Sequence, residues 1–370
     1  MYKIVHFVRD FNNTGGGLIC LKVAQQQAIN NEVIIITDIH CEEKYDDLVI
    51  KVIPFGKLLN KRRNHGKFLK TFFHFSQIIN FNIQTLFLYF YYKIKGYYLY
   101  SHNNEALISD AVLVHNVFSS ELRNGKLIRI LNPVMFVRVL KEQIFLRSFR
   151  GAIYSNSNET TLEIKNCIGK SNVIYAPSGV DCLKYKSLGL NKSCDGNYRL
   201  LFVGHEFERK GLRYILEALK LLPINVILDV VGGRGSSMEK YTELVKYFDI
   251  SERVNFHGSQ TNLLPFYDEA DIFIMPSSYE GIPLVCLESL ASGLPNLVTY
   301  VGGMKDIIIP GFNGAFIERN SKDIAEKIFD LISDSVRLSD ISSNARKSVE
   351  QYDWKNVLNI YTVHESVNFD

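Results

Sequence analysis

The sequence predicts an α/β chain made of two Rossmann-like parallel-sheet domains, and three observations carry that expectation. At 370 residues the chain is too long for one ordinary domain and suits two of about 150–200. Short unbroken apolar runs such as Val33-Ile-Ile-Ile-Thr37 and Asp271-Ile-Phe-Ile-Met275 read as parallel strands buried on both faces. Several of these runs lead through a glycine turn into a helical pattern, the repeating β-turn-α order of α/β proteins.

Composition fits a globular chain with ample core: 46% apolar residues and mean hydropathy near zero. Net charge is only +3, but residues 1–180 carry 22 Lys/Arg against 13 Asp/Glu, and residues 181–370 carry 20 against 26. Leu48 to Asn104 contains no acidic residue, while Lys51, Lys57, Lys61, Arg62, Arg63, Lys67, Lys70, Lys93 and Lys95 are interleaved there with Phe and Tyr. Basic charge mixed with aromatics suits an anionic membrane surface, with a merely solvated face as the plainer explanation. No nucleic-acid-binding motif is present, so nucleic acid is not expected as a partner. The six cysteines show no C-x-x-C spacing, which predicts buried thiols in a reducing compartment rather than disulfides or zinc. Lys3, Arg9 and Asp10 interrupt the N-terminal apolar run, so no secretory signal is expected. Residues 71–92 hold too many Asn, Gln, Ser and His for a transmembrane helix. A cytoplasmic location, with contact to the inner face of the membrane, follows as the expectation.

In chain order, Tyr2–Val8 is the first strand. Gly15-Gly16-Gly17 forms a loop, and a helix runs from about Leu18 to Ile29. A dinucleotide fingerprint fails here, because Cys20 stands where the third glycine belongs and the loop is too long. Two segments end alike, at His102-Asn103 and His115-Asn116. A polar pair at the C-terminal end of a parallel strand points toward a ligand crevice, although a lone His there is equally often structural. Ser119–Arg150 predicts a basic amphipathic helical pair split at Asn132-Pro133. Strands at 151–155 and 173–177 finish the first domain, set at 1–180. A polar linker at 184–197 follows.

The second domain, 181–350, opens with the strand Arg199–Gly204, followed by Arg209-Lys210-Gly211 and a helix over Leu212–Leu222. Cations at a helix start oppose the dipole, which suggests an anion nearby; Arg offers phosphate a fork and Lys a point charge. Val226–Val231 ends at Gly232-Gly233, and Arg253–Gly258 is another strand with a glycine stop. The strand 271–275 then enters the turn Gly281-Ile282-Pro283 and the helix Leu284–Ala291, which stops at Gly293-Leu294-Pro295. Strand, glycine turn and helix leave unpaired N–H groups and a positive dipole end, which receive an anion, most often phosphate. Glu280 and Glu288 flank the turn, and carboxylates accept hydrogen bonds from sugar hydroxyls. A phosphate socket with hydroxyl acceptors on either side suggests a nucleotide-sugar. Trp354 opens the last helix, within 351–370.

The block Pro276–Pro295, reading PSSYEGIPLVCLESLASGLP, resembles the E-x7-E region of retaining glycosyltransferases of family 4. The likeness continues through Arg209-Lys210-Gly211 and Gly232-Gly233 over nearly the whole second half, and is positional in the first. It implies the GT-B fold, two Rossmann-like domains facing across a cleft, with the last helix crossing back to the first domain. By that resemblance Arg209 and Lys210 hold the donor diphosphate, Glu280 the sugar hydroxyls and Glu288 the ribose. His115 lines the donor sugar from the other domain, so that closure assembles the site. Gly16, Gly17, Gly204, Gly233, Gly281, Ile282, Pro283 and Leu284 belong to the donor-binding set. The Glu that commonly follows the first glycine loop is replaced by Leu18. The implied reaction moves a hexose-type sugar, UDP-linked foremost, to a saccharide acceptor of bacterial envelope polysaccharide, lipid-linked and membrane-borne, with retained configuration. The chain has no Asp-x-Asp, so neither a metal nor another cofactor is expected. Two alternatives stay open: a GT-B enzyme of other chemistry, an epimerase or phosphorylase, and a non-catalytic partner that kept the fold.

Overall fold

The computed structural model describes residues 1–9, 15–38, 48–53, 67–103, 105–115, 117, 133–170, 172–186, 196–233 and 235–361. The chain forms two compact units, one of Met1–Pro177 together with the chain from Val357 onward, the other of Ser178–Asn356.

The first unit carries a sheet of seven strands among the described residues: β1 (Lys3–Phe7), β2 (Glu32–Thr37), β3 (Val49–Val52), β4 (Tyr97–His102), β5 (Ala111–Val114), β6 (Ala152–Ser155) and β7 (Val173–Tyr175). Their order is β3-β2-β1-β4-β5-β6-β7, and every pairing is parallel. Val5, Phe7 and Leu99 pack with Phe81 and Tyr92 of the helix Lys67–Ile94. Val112, Val114 and Ile153 pack with Phe145 of the helix Pro133–Ser148 and Ile164 of Asn158–Ile168. The latter helix is capped at both ends. Ser157 accepts from the Thr160 amide, and Gly169 takes the left-handed conformation at φ 75°, as a C-terminal glycine should.

The second unit carries β8 (Tyr198–Val203), β9 (Val226–Val231), β10 (Val254–Gly258), β11 (Ile272–Met275), β12 (Asn296–Thr299) and β13 (Gly314–Ile317). The order is β10-β9-β8-β11-β12-β13, again all parallel. Its strands are mostly apolar, β11 without a break, because both faces are covered, and one large core joins them to the flanking helices.

In each sheet the order reverses beside the first strand, between β1 and β4 and between β8 and β11. An open α/β sheet leaves a crevice at the carboxyl ends of the strands at such a point. His102 ends β4, and the Pro276–Pro295 block begins just past β11.

Two expectations about elements need correction. Gly15–Gly17 is no loop; it is the first turn of the helix Gly15–Ala28. Arg209 and Lys210 do not open a helix. They close the one-turn helix Phe207–Lys210, which Gly211 ends at φ 78° before Leu212–Leu219 begins. At a helix C-terminus two cations agree with the dipole, so their position needs no anion to explain it. Of the last helix expected within 351–370, the described residues form a helical turn, Trp354–Val357, and a 3₁₀ turn, Leu358–Tyr361. The segments 54–66 and 118–132, which carry much of the expected basic surface, lie outside the described residues, as do 10–14, 187–195 and 362–370.

Candidate donor site and a buried histidine row

The second unit gathers its charged groups on one carboxylate oxygen. Glu280 Oε1 accepts from Arg209 Nη1 at 2.9 Å, Lys210 Nζ at 3.0 Å and Ser277 Oγ at 2.9 Å. Burial opposes ionisation of Glu280, but Lys210 and Arg209 outweigh it and hold the carboxyl below its ordinary range. Because all three donors converge on Oε1, Oε2 is the oxygen left to accept from a ligand. Arg209 Nη1 also donates to the Tyr279 carbonyl at 2.6 Å, and its Nε to exposed Glu206 at 2.7 Å. Lys210 Nζ lies 3.1 Å from Met275 Sδ.

Backbone contacts fix this cluster. Arg319 donates to the carbonyls of Arg209 and Glu208 at 3.0 and 3.1 Å, a side chain capping the end of the one-turn helix. The Ser278 amide donates to the same Arg209 carbonyl at 2.9 Å. A Cβ on Gly302 (φ 55°) would stand 1.7 Å from the Glu280 carbonyl oxygen, and the Gly303 amide donates to Gly281 at 2.9 Å. A Cβ on Gly204 would stand 2.1 Å from Lys210 Cδ, and one on Gly233 2.3 Å from Phe207 Cζ. These two glycines thus make room for protein side chains, Gly204 for the stem of Lys210.

The turn builds as the residue order dictates. Ile282 is buried. Pro283 takes an extended conformation directly before the helix Leu284–Ala291, and no side chain caps the first-turn amides. Pro cannot cap them itself, so amides at this end remain open to an anion.

Glu288 lies one turn into that helix and is buried. Its carboxylate accepts from Tyr185 Oη at 3.0 Å and Tyr267 Oη at 2.8 Å. Desolvation raises its pKa, with the Tyr267 and Tyr185 hydrogen bonds pulling the other way. Sequence reasoning missed both tyrosines, as well as Arg319, since none sits within the block they support.

In the first unit the strand pleat and the parallel register decide which side chains meet. His6 pairs in register with Tyr100, and His102 with Leu113. Alternation then sets His6, His102 and His115 on one face of the sheet. The helix Gly15–Ala28 covers them with Gly16, Cys20 and Gln27, which recur at helical spacing on one side. His6 Nδ1 is 3.1 Å from His102 Nε2, and His6 Nε2 is 2.8 Å from Gln27 Oε1. The His102 and His115 rings stack loosely, centroids 6.1 Å apart. A Cβ on Gly16 would lie 3.5 Å from His115 Cδ2, an ordinary contact, so Gly16 floors the His115 ring. Gly17 is buried. Burial lowers His115 and His6 to about 4 and His102 well below its usual value. One ligating atom each of His6, Cys20 and His102 falls within 4.8 Å of the others, but the bond between the two imidazoles already occupies a nitrogen of each. His6 and Gln27 gave no sequence signal beyond being polar residues in apolar segments. Cys20, Cys182 and Cys286 are buried free thiols.

Comparison with known proteins agrees with this architecture. The family model "Glycosyl transferases group 1" matches residues 191–348. An uncharacterized glycosyltransferase of Methanocaldococcus jannaschii is 31% identical over 187 residues, 48% of this chain and 47% of that protein. The UDP-Gal:alpha-D-GlcNAc-diphosphoundecaprenol alpha-1,3-galactosyltransferase of Escherichia coli is 28% identical over 190 residues, 47% of this chain and 48% of that protein. The chain thus spans about half the length of the curated relatives it matches. Among solved structures, WaaG, a glycosyltransferase involved in lipopolysaccharide biosynthesis, superposes with TM-score 0.79 at 18% identity, covering 97% of this chain and 100% of that one. That likeness shows a shared fold, GT-B, across both units. Residues 191–348, the stretch that this family model matches, hold Arg209, Lys210, Glu280 and Glu288.

Proposed function

We propose that this chain is a retaining glycosyltransferase that moves a hexose-type sugar from a nucleoside diphosphate to a saccharide acceptor of bacterial envelope polysaccharide. The observation that carries the reading is the convergence of Arg209, Lys210 and Ser277 on Glu280, at the turn leading to the uncapped helix at Leu284. Sugar transfer builds negative charge on the departing diphosphate while the anomeric carbon becomes oxocarbenium-like. Preorganised cations and helix-end amides stabilise that charge as it forms. In this role Arg209 and Lys210 meet the phosphates, and the amides around Ile282 and Leu284 complete the cradle. The Arg209–Glu206 contact, with its exposed carboxylate, is a weak pair that a phosphate displaces. Glu280 Oε2 accepts a sugar hydroxyl, and Glu288 the ribose hydroxyls. The chain has no Asp-x-Asp, so leaving-group charge is met by side chains and amides rather than by a metal.

A UDP-sugar donor and a lipid-linked acceptor are supported by the activity of the Escherichia coli relative, and the envelope setting by WaaG. A membrane-borne acceptor also suits the first unit's surface. Ile79, Ile83, Phe87, Phe90, Tyr91 and Ile94 form one exposed apolar stripe along the helix Lys67–Ile94, with Phe87 70% and Ile94 88% exposed. Phe136, Leu140 and Ile144 form a second on Pro133–Ser148, and Lys141 Nζ joins the two helices through Asn82 Oδ1 at 2.6 Å. Lys95 Nζ lies 4.3 Å from the Tyr91 ring centroid, the aromatic–ammonium pairing suited to a headgroup layer. No helix of the described residues is long and apolar enough to cross a membrane. We place the protein in the cytoplasm, at the inner membrane surface.

The test is calorimetric binding of UDP-, GDP-, ADP- and dTDP-sugars to wild type and to Glu288→Ala. Tight binding of one nucleotide class, lost in the variant, supports the donor site; binding of none, with or without vesicles, overturns it. Transfer to an undecaprenyl-diphosphate-linked sugar, with product configuration read by NMR, separates this reading from epimerisation and phosphorolysis.

A further inference from the structure

Two hydroxyl groups from segments remote in sequence hold the Glu288 carboxylate. Tyr185 Oη donates to Oε1 at 3.0 Å and Tyr267 Oη to Oε2 at 2.8 Å, so each oxygen has one fixed donor. Tyr267 belongs to the helix Leu264–Glu269. Tyr185 ends a turn that its own amide closes on the Asp181 carbonyl at 3.1 Å. The two rings meet edge to face, centroids 5.8 Å apart. Arg346 ties this turn to the helix that carries Glu288: its guanidinium donates to the carbonyls of Cys182 at 2.5 Å, Tyr185 at 3.4 Å and Ala291 at 2.6 Å. Desolvation, reinforced by the charge of Glu288, raises the pKa of both phenols, so both remain O–H donors. Burial opposes ionisation of Glu288, while the bonds from Tyr267 and Tyr185 and the charge of Lys184 favour it. Nearby Cys286 is kept a neutral thiol by burial. A carboxylate oxygen has two lone pairs, and the tyrosines take one on each. One lone pair on each oxygen is left, a spacing that suits two neighbouring hydroxyls. A protonated carboxyl cannot offer both.

We propose that Tyr185 and Tyr267 are positioning residues that make Glu288 select a ribonucleotide over a deoxyribonucleotide, by turning one open lone pair of each carboxylate oxygen toward the 2′- and 3′-hydroxyls. This role rests on the reading of Glu288 as the ribose acceptor; the two tyrosines, the discrimination against deoxyribose and its pH dependence are added to it. The selectivity exists only while Glu288 is ionised. It is therefore present above the folded pKa of Glu288, which burial sets above the ordinary carboxylate range, and is lost as pH falls through that value. Each tyrosine hydroxyl pulls this limit toward acid, and so widens the pH range in which ribose is recognised.

The experiment measures, on the full chain, the affinities of UDP, GDP and ADP and of their 2′-deoxy forms by calorimetry across the acid and neutral range. For the base that binds, the ratio of ribo to deoxy affinity cancels the titration of the phosphates, which both ligands share. At about pH 8 wild type should favour the ribonucleotide roughly 10-fold or more, the yield of one hydrogen bond to a charged group, and the ratio should fall in acid. Tyr185→Phe and Tyr267→Phe keep the rings and their packing. Each should move the acid limb of the ratio to higher pH, whereas a role in packing alone would lower the melting temperature and leave the limb in place. Glu288→Gln should remove the pH dependence of the ratio. Where a variant does not fold, wild type decides: within the acid limb, in buffers of different ionisation enthalpy, the ribonucleotide should release more protons than its deoxy form. A ratio near 1 at about pH 8, a limb unmoved in both variants, equal proton release, or a preference for dTDP-sugars overturns this role and leaves the donor site standing. Wild type that binds no nucleotide overturns the donor site, and this role with it.

Discussion

Lys210 and Glu280 form an ion pair, Nζ to Oε1 3.0 Å, with both side chains 11% exposed. The pair is possible because Gly204, with no side chain, lets the Lys210 stem lie across it. Removing one partner of a buried pair leaves the other under-compensated, but Arg209 still reaches Glu280. Lys210→Met should therefore destabilise the second unit by about 2 kcal/mol, the scale of one hydrogen bond to a charged group, and weaken nucleotide-sugar binding more than tenfold. Denaturant midpoints and calorimetry read the two effects. Glu280 adds a pH signature. Its folded pKa is lowered, so its stabilisation is full above the unfolded carboxylate value of about 4.3 and is lost as pH falls through the folded value. Glu280→Gln should flatten that acid limb; an unchanged limb would show that the pairing adds nothing to stability.

Glu288 behaves in the opposite sense. Its pKa is raised, so the folded state holds the proton more tightly than the unfolded chain. Its contribution therefore falls as pH rises past the unfolded carboxylate range toward the folded value. Glu288→Gln keeps the acceptor for one tyrosine hydroxyl and removes the buried charge. The variant should melt about 2–4 °C higher at pH 7, the shift expected from ~1 kcal/mol in a domain of this size, with the gain vanishing in acid. It should bind nucleotide-sugar less well, a trade of stability for function. A lower melting temperature at pH 7 would mean that the Tyr185 and Tyr267 bonds outweigh desolvation.

Gly302→Ala touches no proposed ligand contact, yet it should disable the donor site. At φ 55° its Cβ would stand 1.7 Å from the Glu280 carbonyl oxygen. The left-handed conformation alone costs about 1 kcal/mol or more, and the clash forces the 280–281 backbone away. A loss of about 3 kcal/mol with matching loss of donor binding is expected. Gly169→Ala, at φ 75° and ψ 22° with nothing within 4 Å, is the control for left-handed strain without the clash.

Phe87→Glu with Phe90→Glu should reduce sedimentation with phosphatidylglycerol vesicles several-fold without changing the melting temperature, since both side chains are exposed. Salt tests the electrostatic part. The screening length falls from about 10 Å at 0.1 M to about 3 Å at 1 M, so wild-type binding should weaken across that range. Binding unchanged by both treatments would remove the membrane surface from the proposal.

The sequence alone determined what is local. Continuous apolar runs are parallel strands because both faces of such a sheet are covered, and Gly281-Ile282-Pro283 leads into a helix, with Pro283 extended just before Leu284. Glu280 and Glu288 are therefore legible, being fixed to either side of a single turn. Their surroundings belong to the tertiary structure. Arg209 and Lys210 end a helix rather than begin one because Gly211 turns left-handed and Arg319, over a hundred residues away in sequence, caps the carbonyls. Tyr185 and Tyr267 reach Glu288 from separate segments. His102 and His115 could be singled out at strand ends, but not their packing with His6 and Gln27, because the parallel register and the helix Gly15–Ala28 bring those segments together only in the folded chain.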